Sequence, residues 1–263
     1  GRKQIMGMLD NIQTGRENKP PRIMIYGSEG VGKSSYAAGA PNAIFIQTED
    51  GLGEIDCRKF PLAHSLSEVI AELTALRDEA HEFQTVVVDS VDWLERLIFD
   101  EVCREFGVRS IEKADGGYGR GYTHALTHWR KVINLLQELR DKRGMMVILV
   151  AHAKVERFED PENAAYDRYT PRLHKHAASL IAEWVDAVLF ANKKFRVTKE
   201  NAGFNGERAI AAPIGADGGE RIIRTVGSPA CIAKNRYGLP SEIPLSWQAF
   251  IEAYTKIEEN HHE

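Results

Sequence analysis

The sequence predicts an α/β protein, with a mostly parallel, twisted sheet flanked by helices and antiparallel strands toward the C-terminus. Three observations carry this prediction. Short β-branched runs alternate with amphipathic helical stretches as far as Phe190. The run Gly27-Ser28-Glu29-Gly30-Val31-Gly32-Lys33-Ser34 lies between an apolar strand pattern, Arg22 to Tyr26, and residues that can start a helix, Ser35 to Ala38. From Phe195 onward, Ile, Val and Arg alternate around glycines, as in hairpins.

The elements follow in order. Ile5, Met8, Leu9 and Ile12 stand at helical spacing within residues 1–19, which predicts an amphipathic helix that covers the sheet or touches a neighbouring subunit. Pro20-Pro21 stops it and leads into the first strand. A turn at Ala40-Pro41-Asn42 precedes a strand at Ala43 to Gln47. Ser67 is expected to start a helix with Leu66, Val69, Ile70, Leu73 and Leu76 on its apolar face. Thr85 to Val88 is a β-branched run ending at Asp89, and a helix follows around Trp93 to Phe106. Residues 107–123 read as loop, and Trp129, Val132, Ile133, Leu136 and Leu139 mark another helix. Met145 to Val150 is the fourth strand. Residues 153–172 read as a long irregular loop, a length that signals function or mobility. A helix near Ala177 to Glu183 and a strand at Val185 to Phe190 come next. Asn205-Gly206 and Asp217-Gly218-Gly219 are turns, and Ala230 to Ala233 a short strand. The division expected is an N-terminal helical segment (1–19), one core (20–245) and a C-terminal helix or tail (246–263).

The 263-residue length suits one large α/β domain with small appendages. A net charge of −4 argues against a bulk polyanion binder and leaves room for a local basic patch. Cys57, Cys103 and Cys231 lack metal-ligand spacing and fit a reducing compartment. No apolar run approaches a membrane span and no signal peptide is visible. Gly1 in place of Met suggests a chain that starts inside a longer reading frame or one left after removal of a tag.

The chemistry starts from Gly27 to Ser34, a complete Gly-x-x-x-x-Gly-Lys-Ser loop. Its glycines let the backbone curl so that successive N–H groups point at a phosphate chain. Lys33 places an ammonium near the β- and γ-phosphates, and Ser34 can ligate Mg²⁺. The helix begun by Ser35 adds the positive end of its dipole. Asp89, at the end of its strand, suits a second Mg²⁺ ligand. Glu49 ends the second strand, the one taken to lie beside the loop, and is placed to orient or deprotonate water in line with a γ-phosphate; Asp50 competes for that role. His152 follows the fourth strand and reads either as a γ-phosphate sensor or as a core histidine with a satisfied hydrogen bond. Lys234 and Arg236 stand two apart on an extended segment, so both can neutralise charge on a γ-phosphate, in a neighbouring subunit given their distance from the loop; the alternative is an exposed basic turn. Tyr118, Arg120 and Tyr122, among glycines, suit stacking on unpaired bases with a phosphate contact. Lys154, Arg157, Arg168 and Arg172 supply cations to the second loop, whose five carboxylates balance them.

With these segments the chain resembles the RecA-like ATPases, and more closely the compact phage-type recombination ATPases of the Sak group with a RecA-like core. The resemblance runs from about Arg22 to Pro240, on Gly27 to Ser35, Thr48-Glu49-Asp50-Gly51, Val86 to Ser90, Ala151 to Lys154 and Ala233 to Arg236. It implies ATP and Mg²⁺ as ligands, with Glu49 as the catalytic glutamate. It implies that His152 stands where recombinases often carry a glutamine coupling nucleotide to DNA. It also implies DNA loops at Gly116 to Tyr122 and Lys154 to Arg172, and Lys234 and Arg236 as fingers across a homo-oligomer interface, in a ring or filament. Members promote single-strand annealing or strand pairing, often with a single-strand DNA-binding protein, in the cytoplasm of a bacterial host or phage-infected cell. Two other readings share the loop: a nucleotide or small-molecule kinase with residues 153–172 as lid, and an ATP-switched scaffold that does not hydrolyse.

Overall fold

The computed structural model describes residues 7–201, 206–213 and 219–261. Strand β1 (Arg22–Gly27) leads through the glycine-rich loop into α1 (Lys33–Ala38), followed by β2 (Ala43–Gln47) and the short β3 (Arg58–Lys59). Then come α2 (Leu66–Asp78), β4 (Thr85–Asp89), α3 (Val91–Phe106), a 3-10 turn (Ile111–Gly116) and α4 (Arg120–Arg143). β5 (Met146–Phe158), β6 (Tyr166–Pro171), α5 (Lys175–Trp184) and β7 (Ala187–Lys193) follow. β8 (Phe195–Asn201) and β9 (Glu207–Pro213) form a ribbon of their own. β10 (Arg221–Arg224), β11 (Lys234–Asn235), β12 (Glu242–Pro244) and α6 (Trp247–Glu259) complete the order.

The main sheet runs β12-β10-β7-β1-β5-β4-β2-β3, with β11 on β7 and β6 on β5. Pairs from β7 across to β3 are parallel, whereas β10, β11 and β12 pair antiparallel. The parallel strands read as continuous apolar runs because helices cover both faces. Alternation sorts their side chains. Ile23, Ile25, Val87, Ile148 and Val150 pack with Tyr36 and Ala37 of α1 and Phe250 of α6. Met24, Tyr26, Val86, Val88, Val147 and Leu149 pack with Leu73 of α2, Leu94 of α3, Trp129 of α4 and Ile181 of α5. Trp247 of α6 meets Tyr36 edge-on at 5.6 Å between ring centroids. The C-terminal helix is therefore built into the core rather than appended as a tail. No helix among the described residues is long and apolar enough to cross a membrane.

Several local expectations change. Residues 153–172 are not a loop: β5 runs on to Phe158 and pairs antiparallel with β6, Ala153 opposite Pro171 through Phe158 opposite Tyr166. Val155, Glu156, Arg157, Asp167 and Tyr169 of this ribbon are exposed, so its strands carry no apolar pattern to announce them. Residues 107–123 contain the 3-10 turn and the start of α4. The predicted N-terminal helix reduces, among the described residues, to a 3-10 turn at Met8–Asn11 with Met8, Leu9 and Ile12 exposed; Ile5 lies outside those residues. With no surface to cover, apolar spacing alone does not hold a helix together. Helix α2 is capped by Ser65, whose hydroxyl accepts from the Glu68 N–H, rather than started at Ser67. Ala230 to Ala233 makes only isolated bridges, and pairing starts at Lys234. The expected β8–β9 hairpin forms, but Asn205 of its turn, like Asp217 and Gly218, lies outside the described residues.

Candidate active site

The strand register decides which residues meet. Gly27 stands level with His152 of β5 and Ala191 of β7, and Asp89 with Gln47 of β2 and Val150 of β5. The glycine-rich loop, Glu49, Asp89 and His152 therefore share the carboxyl edge of the parallel strands, where α/β sheets bind ligands. Gly27 owes its identity to a close approach: a Cβ there would sit 2.4 Å from the Ala191 carbonyl oxygen. Gly27→Ala is expected to lower stability by about 1–3 kcal/mol through overpacking, read from urea unfolding; unchanged stability would contradict it.

Gly30 and Gly32 take positive φ values of 72° and 116°, which curl the loop. Lys33 is 5% exposed, and its ammonium donates to the carbonyls of Gly27 (3.0 Å) and Ser28 (2.7 Å). Burial pulls its pKa down, against the pull of Asp89, Asp92 and Glu49. The Ser34 hydroxyl donates to Asp89 Oδ2 at 2.5 Å. Burial pushes the Asp89 carboxyl up, opposed by Ser34 and Lys33. A hydroxyl and a carboxylate in contact are hard oxygen donors, and two such ligands plus phosphate and water are what Mg²⁺ takes. The residues present therefore fit that ion.

Glu49 does not end the strand beside the loop, contrary to expectation: β5 and β4 stand between β1 and β2. A clamp brings it in instead. The Thr48 hydroxyl donates to the Ser90 carbonyl (2.6 Å) and accepts from the Ser90 N–H (2.9 Å), and the Thr48 N–H donates to the Asp89 carbonyl (2.9 Å). Glu49 is then half-buried with Oε1 3.8 Å from His152 Nε2, while Asp50 is exposed. Burial pushes the Glu49 carboxyl up, with His152 opposing.

His152 is held by a residue that the sequence reading missed. Asp92, in the first turn of α3 and 4% exposed, accepts from the His152 N–H (3.0 Å) and lies 3.0 Å from His152 Nδ1. It also accepts from Arg172 Nη2 at 2.7 Å. Burial alone would push Asp92 up, but His152 and Arg172 outweigh it and hold the carboxyl well below the usual carboxylate range. One turn further on, Glu95 accepts from the His174 N–H at 3.0 and 3.2 Å, and burial pushes it up to about 7. The only sequence signal for either was an acidic residue on the inward face of a helix.

An acid whose pKa is raised on folding costs stability as pH climbs from its unfolded value to its folded one. Glu95→Gln is thus expected to stabilise the chain by on the order of 1–3 kcal/mol above pH 7 and by nothing below about pH 4. Urea unfolding at both ends of that range checks it; an equal change at both ends would refute it.

The two groups expected to touch DNA divide. Tyr118 is 96% exposed at φ 56°, with the Arg120 guanidinium 5.9 Å from its ring. Tyr122 is not a free ring: it stacks on His174 at 4.0 Å and 8°, meets Phe99 edge-on, and its hydroxyl donates to Glu112. Lys154 donates to the Leu173 carbonyl, Arg168 covers the Phe158 ring at 4.0 Å, and Arg172 is spent on Asp92. Arg157 lies exposed near Glu159 and Asp167. Lys234 donates to the Ala182 carbonyl, and Arg236 pairs with Asp186 at 3.1 Å and donates to the Glu183 carbonyl at 3.0 Å. The Arg236 N–H bonds the Asp186 carbonyl at the start of β7. From Asp186 to Ala191, the level of Gly27, the strand rises roughly 17 Å, so Arg236 lies toward the opposite end of the sheet from its own loop.

Sheet order, loop and flanking carboxylates together define an α/β nucleotide-binding core of the phosphate-loop class. The chain belongs to the AAA domain family (AAA_24), whose profile matches residues 19–237. It is 27% identical over 172 residues to the SPbeta prophage-derived uncharacterized protein YorG of Bacillus subtilis (strain 168). That match covers 64% of this chain and 49% of YorG, so the chain spans about half the length of that relative. Among solved structures, the crystal structure of the RadB recombinase aligns over 88% of this chain and 90% of its own, with a TM-score of 0.47 and 11% identity.

Proposed function

We propose that this protein binds and hydrolyses ATP with Mg²⁺ and uses the nucleotide state to set its grip on single-stranded DNA, in phage-type recombination or repair that ends in annealing or strand pairing. The observation that carries the coupling is the chain Glu49–His152–Asp92–Arg172. It starts at Glu49, on the carboxyl edge of the sheet, and ends at the root of the β5–β6 ribbon, where the Arg172 N–H also donates to the His152 carbonyl (2.8 Å). Glu49 orients the attacking water. Ser34 and Asp89 would hold Mg²⁺, which would supply charge neutralisation for the phosphates when bound. His152 follows Glu49 and passes a change to the ribbon through Asp92. Tyr118 and Arg120 supply an exposed ring and cation for an unpaired base and its phosphate.

Lys234 and Arg236 serve the nucleotide of a second copy in a homo-oligomer; their place away from their own loop leaves them no role at their own nucleotide. A single-strand DNA-binding protein is the partner expected at the DNA. The test is ATP turnover with and without single-stranded DNA, for the parent chain and for Arg236→Ala. DNA is expected to stimulate the parent. Arg236→Ala is expected to lose about three orders of magnitude, as for removal of an arginine finger, and to regain turnover when mixed with Lys33→Ala subunits. Turnover indifferent to DNA would sink the coupling, and an active Arg236→Ala would sink the shared site.

A further inference from the structure

The amino end of β7 carries a charge cluster that the phosphate loop does not use. Asp186, 7% exposed, accepts through Oδ2 from the Arg22 N–H (3.0 Å) and Nε (3.2 Å), and through Oδ1 from Arg22 Nη2 (2.8 Å). Arg236 Nη1 donates to the same Oδ1 at 3.1 Å, and Arg140 Nη2 lies 3.8 Å from Oδ2. One carboxylate thus faces three guanidinium groups. Burial alone would push the Asp186 carboxyl up, but Arg22 outweighs it and holds the carboxyl below its ordinary value. A forked arginine–carboxylate pair is the strong form of this contact. Arg22 therefore meets the Asp186 charge, and the Arg236 charge is left over.

That cation is fixed in place. Register sets Asn235 opposite Ala187, and the Arg236 N–H donates to the Asp186 carbonyl at 3.0 Å. Arg236 Nη2 donates to the Glu183 carbonyl at 3.0 Å, in the last turn of α5, where the helix dipole favours a cation. Lys234 docks on the Ala182 carbonyl of the same turn. The Arg236 side chain is nevertheless 50% exposed, and these bonds leave other N–H donors of its guanidinium unused. A cation that only capped α5 would need neither Asp186 nor an open face. One held at two points, with its charge uncompensated and its edge in solvent, meets an incoming anion without reorganising.

We propose that Asp186 is the positioning residue of Arg236: braced by Arg22, it aims the guanidinium outward from the amino edge of the sheet at the triphosphate of a second copy. The proposal rests on the shared-site reading above and goes beyond it by naming what fixes the cation. Arg22 opens β1, the strand that ends in the glycine-rich loop, so the group offered to the neighbour is braced on the strand that carries the subunit's own phosphate site.

The test measures ATP turnover for Asp186→Asn alone, combined with Arg236→Ala, and mixed with Lys33→Ala subunits. Thermal unfolding confirms that the variant is folded; Asp186→Glu, which keeps the charge and moves it by one methylene, replaces it if it is not. The expected result is a loss of at least about tenfold in kcat, the scale of a misplaced catalytic group, with KM for ATP within about twofold because the variant's own loop is intact. Lys33→Ala subunits are expected to restore turnover, since they bring a well-aimed Arg236 to a loop that still works; a fold defect would not be mended this way. In the Arg236→Ala background the Asp186 substitution is expected to cost less than about twofold, because both act through one group. Parent-like turnover, a loss that Lys33→Ala subunits do not restore, losses that multiply in the double variant, or failure of both Asp186 variants to fold overturns the positioning role. Any of these beside an inactive Arg236→Ala leaves the shared site standing, whereas an active Arg236→Ala overturns both.

Discussion

Lys33→Ala is expected to lower ATP turnover by at least about two to three orders of magnitude, the scale for losing one preorganised group that stabilises transition-state charge. The cause lies in how the ammonium is held. It is buried, it donates to two carbonyls of its own loop, and Asp89, Asp92 and Glu49 surround it. This charge is in place before the γ-phosphate arrives, so no reorganisation is needed at the moment of reaction. Removing it also leaves Asp89 and Glu49 with less compensation beside a bound phosphate chain, which weakens binding as well as turnover. Folding stability should change little, because burial disfavours the charged ammonium more than its carboxylate neighbours favour it, as its lowered pKa records. Turnover assays and thermal unfolding together check this. A variant that keeps more than a tenth of the parent rate, or one that fails to fold, would contradict it.

Asp92→Ala carries the largest expected loss of stability, about 3–5 kcal/mol, as when one partner is removed from a buried charge network. Asp92 satisfies the His152 N–H and the His152 ring, and it anchors Arg172. Alanine leaves the first two buried without a partner and releases the third. At roughly 2–4 °C per kcal/mol for a chain of this size, the melting temperature falls by on the order of 10 °C. Asp92→Asn keeps an accepting oxygen and the volume, so it should fold better while still losing the charge. Any DNA stimulation should fall in Asp92→Asn by more than basal turnover does, since Asp92 acts through His152 and Arg172 rather than on phosphate.

The same residue sets a pH dependence. Its folded pKa lies below its unfolded value, so the unfolded chain binds the proton more readily. Its contribution is full above the ordinary Asp value of about 4 and drains away as pH falls below it. The stability gap between parent and Asp92→Asn should be full at pH 6 and shrink on acidification; a gap that widens toward low pH would refute the assignment.

Much was legible in the chain alone, and the reason is locality. The phosphate loop is a contiguous pattern whose glycines, lysine and serine each act within one turn of backbone. The parallel strands were visible because each buries both faces and so shows an unbroken apolar run. Strand ends then pointed to Glu49, Asp89 and His152 as neighbours. The polar ribbon at 153–172 escaped because much of it is exposed, where no apolar alternation is required.

By itself, then, the sequence determined the fold class, the phosphate site and the edge of the sheet on which the chemistry would lie. Tertiary structure alone decided what those residues rest on. The order β2-β4-β5-β1 moves Glu49 away from the loop's own neighbours and against His152. Asp92 and Arg172, far apart in sequence, close around one another, and Arg221 and Leu245 arrive beside Gly32 from the other end of the chain. Such contacts follow from strand order and helix packing, which depend on the whole core finding one arrangement, and no window of sequence contains them.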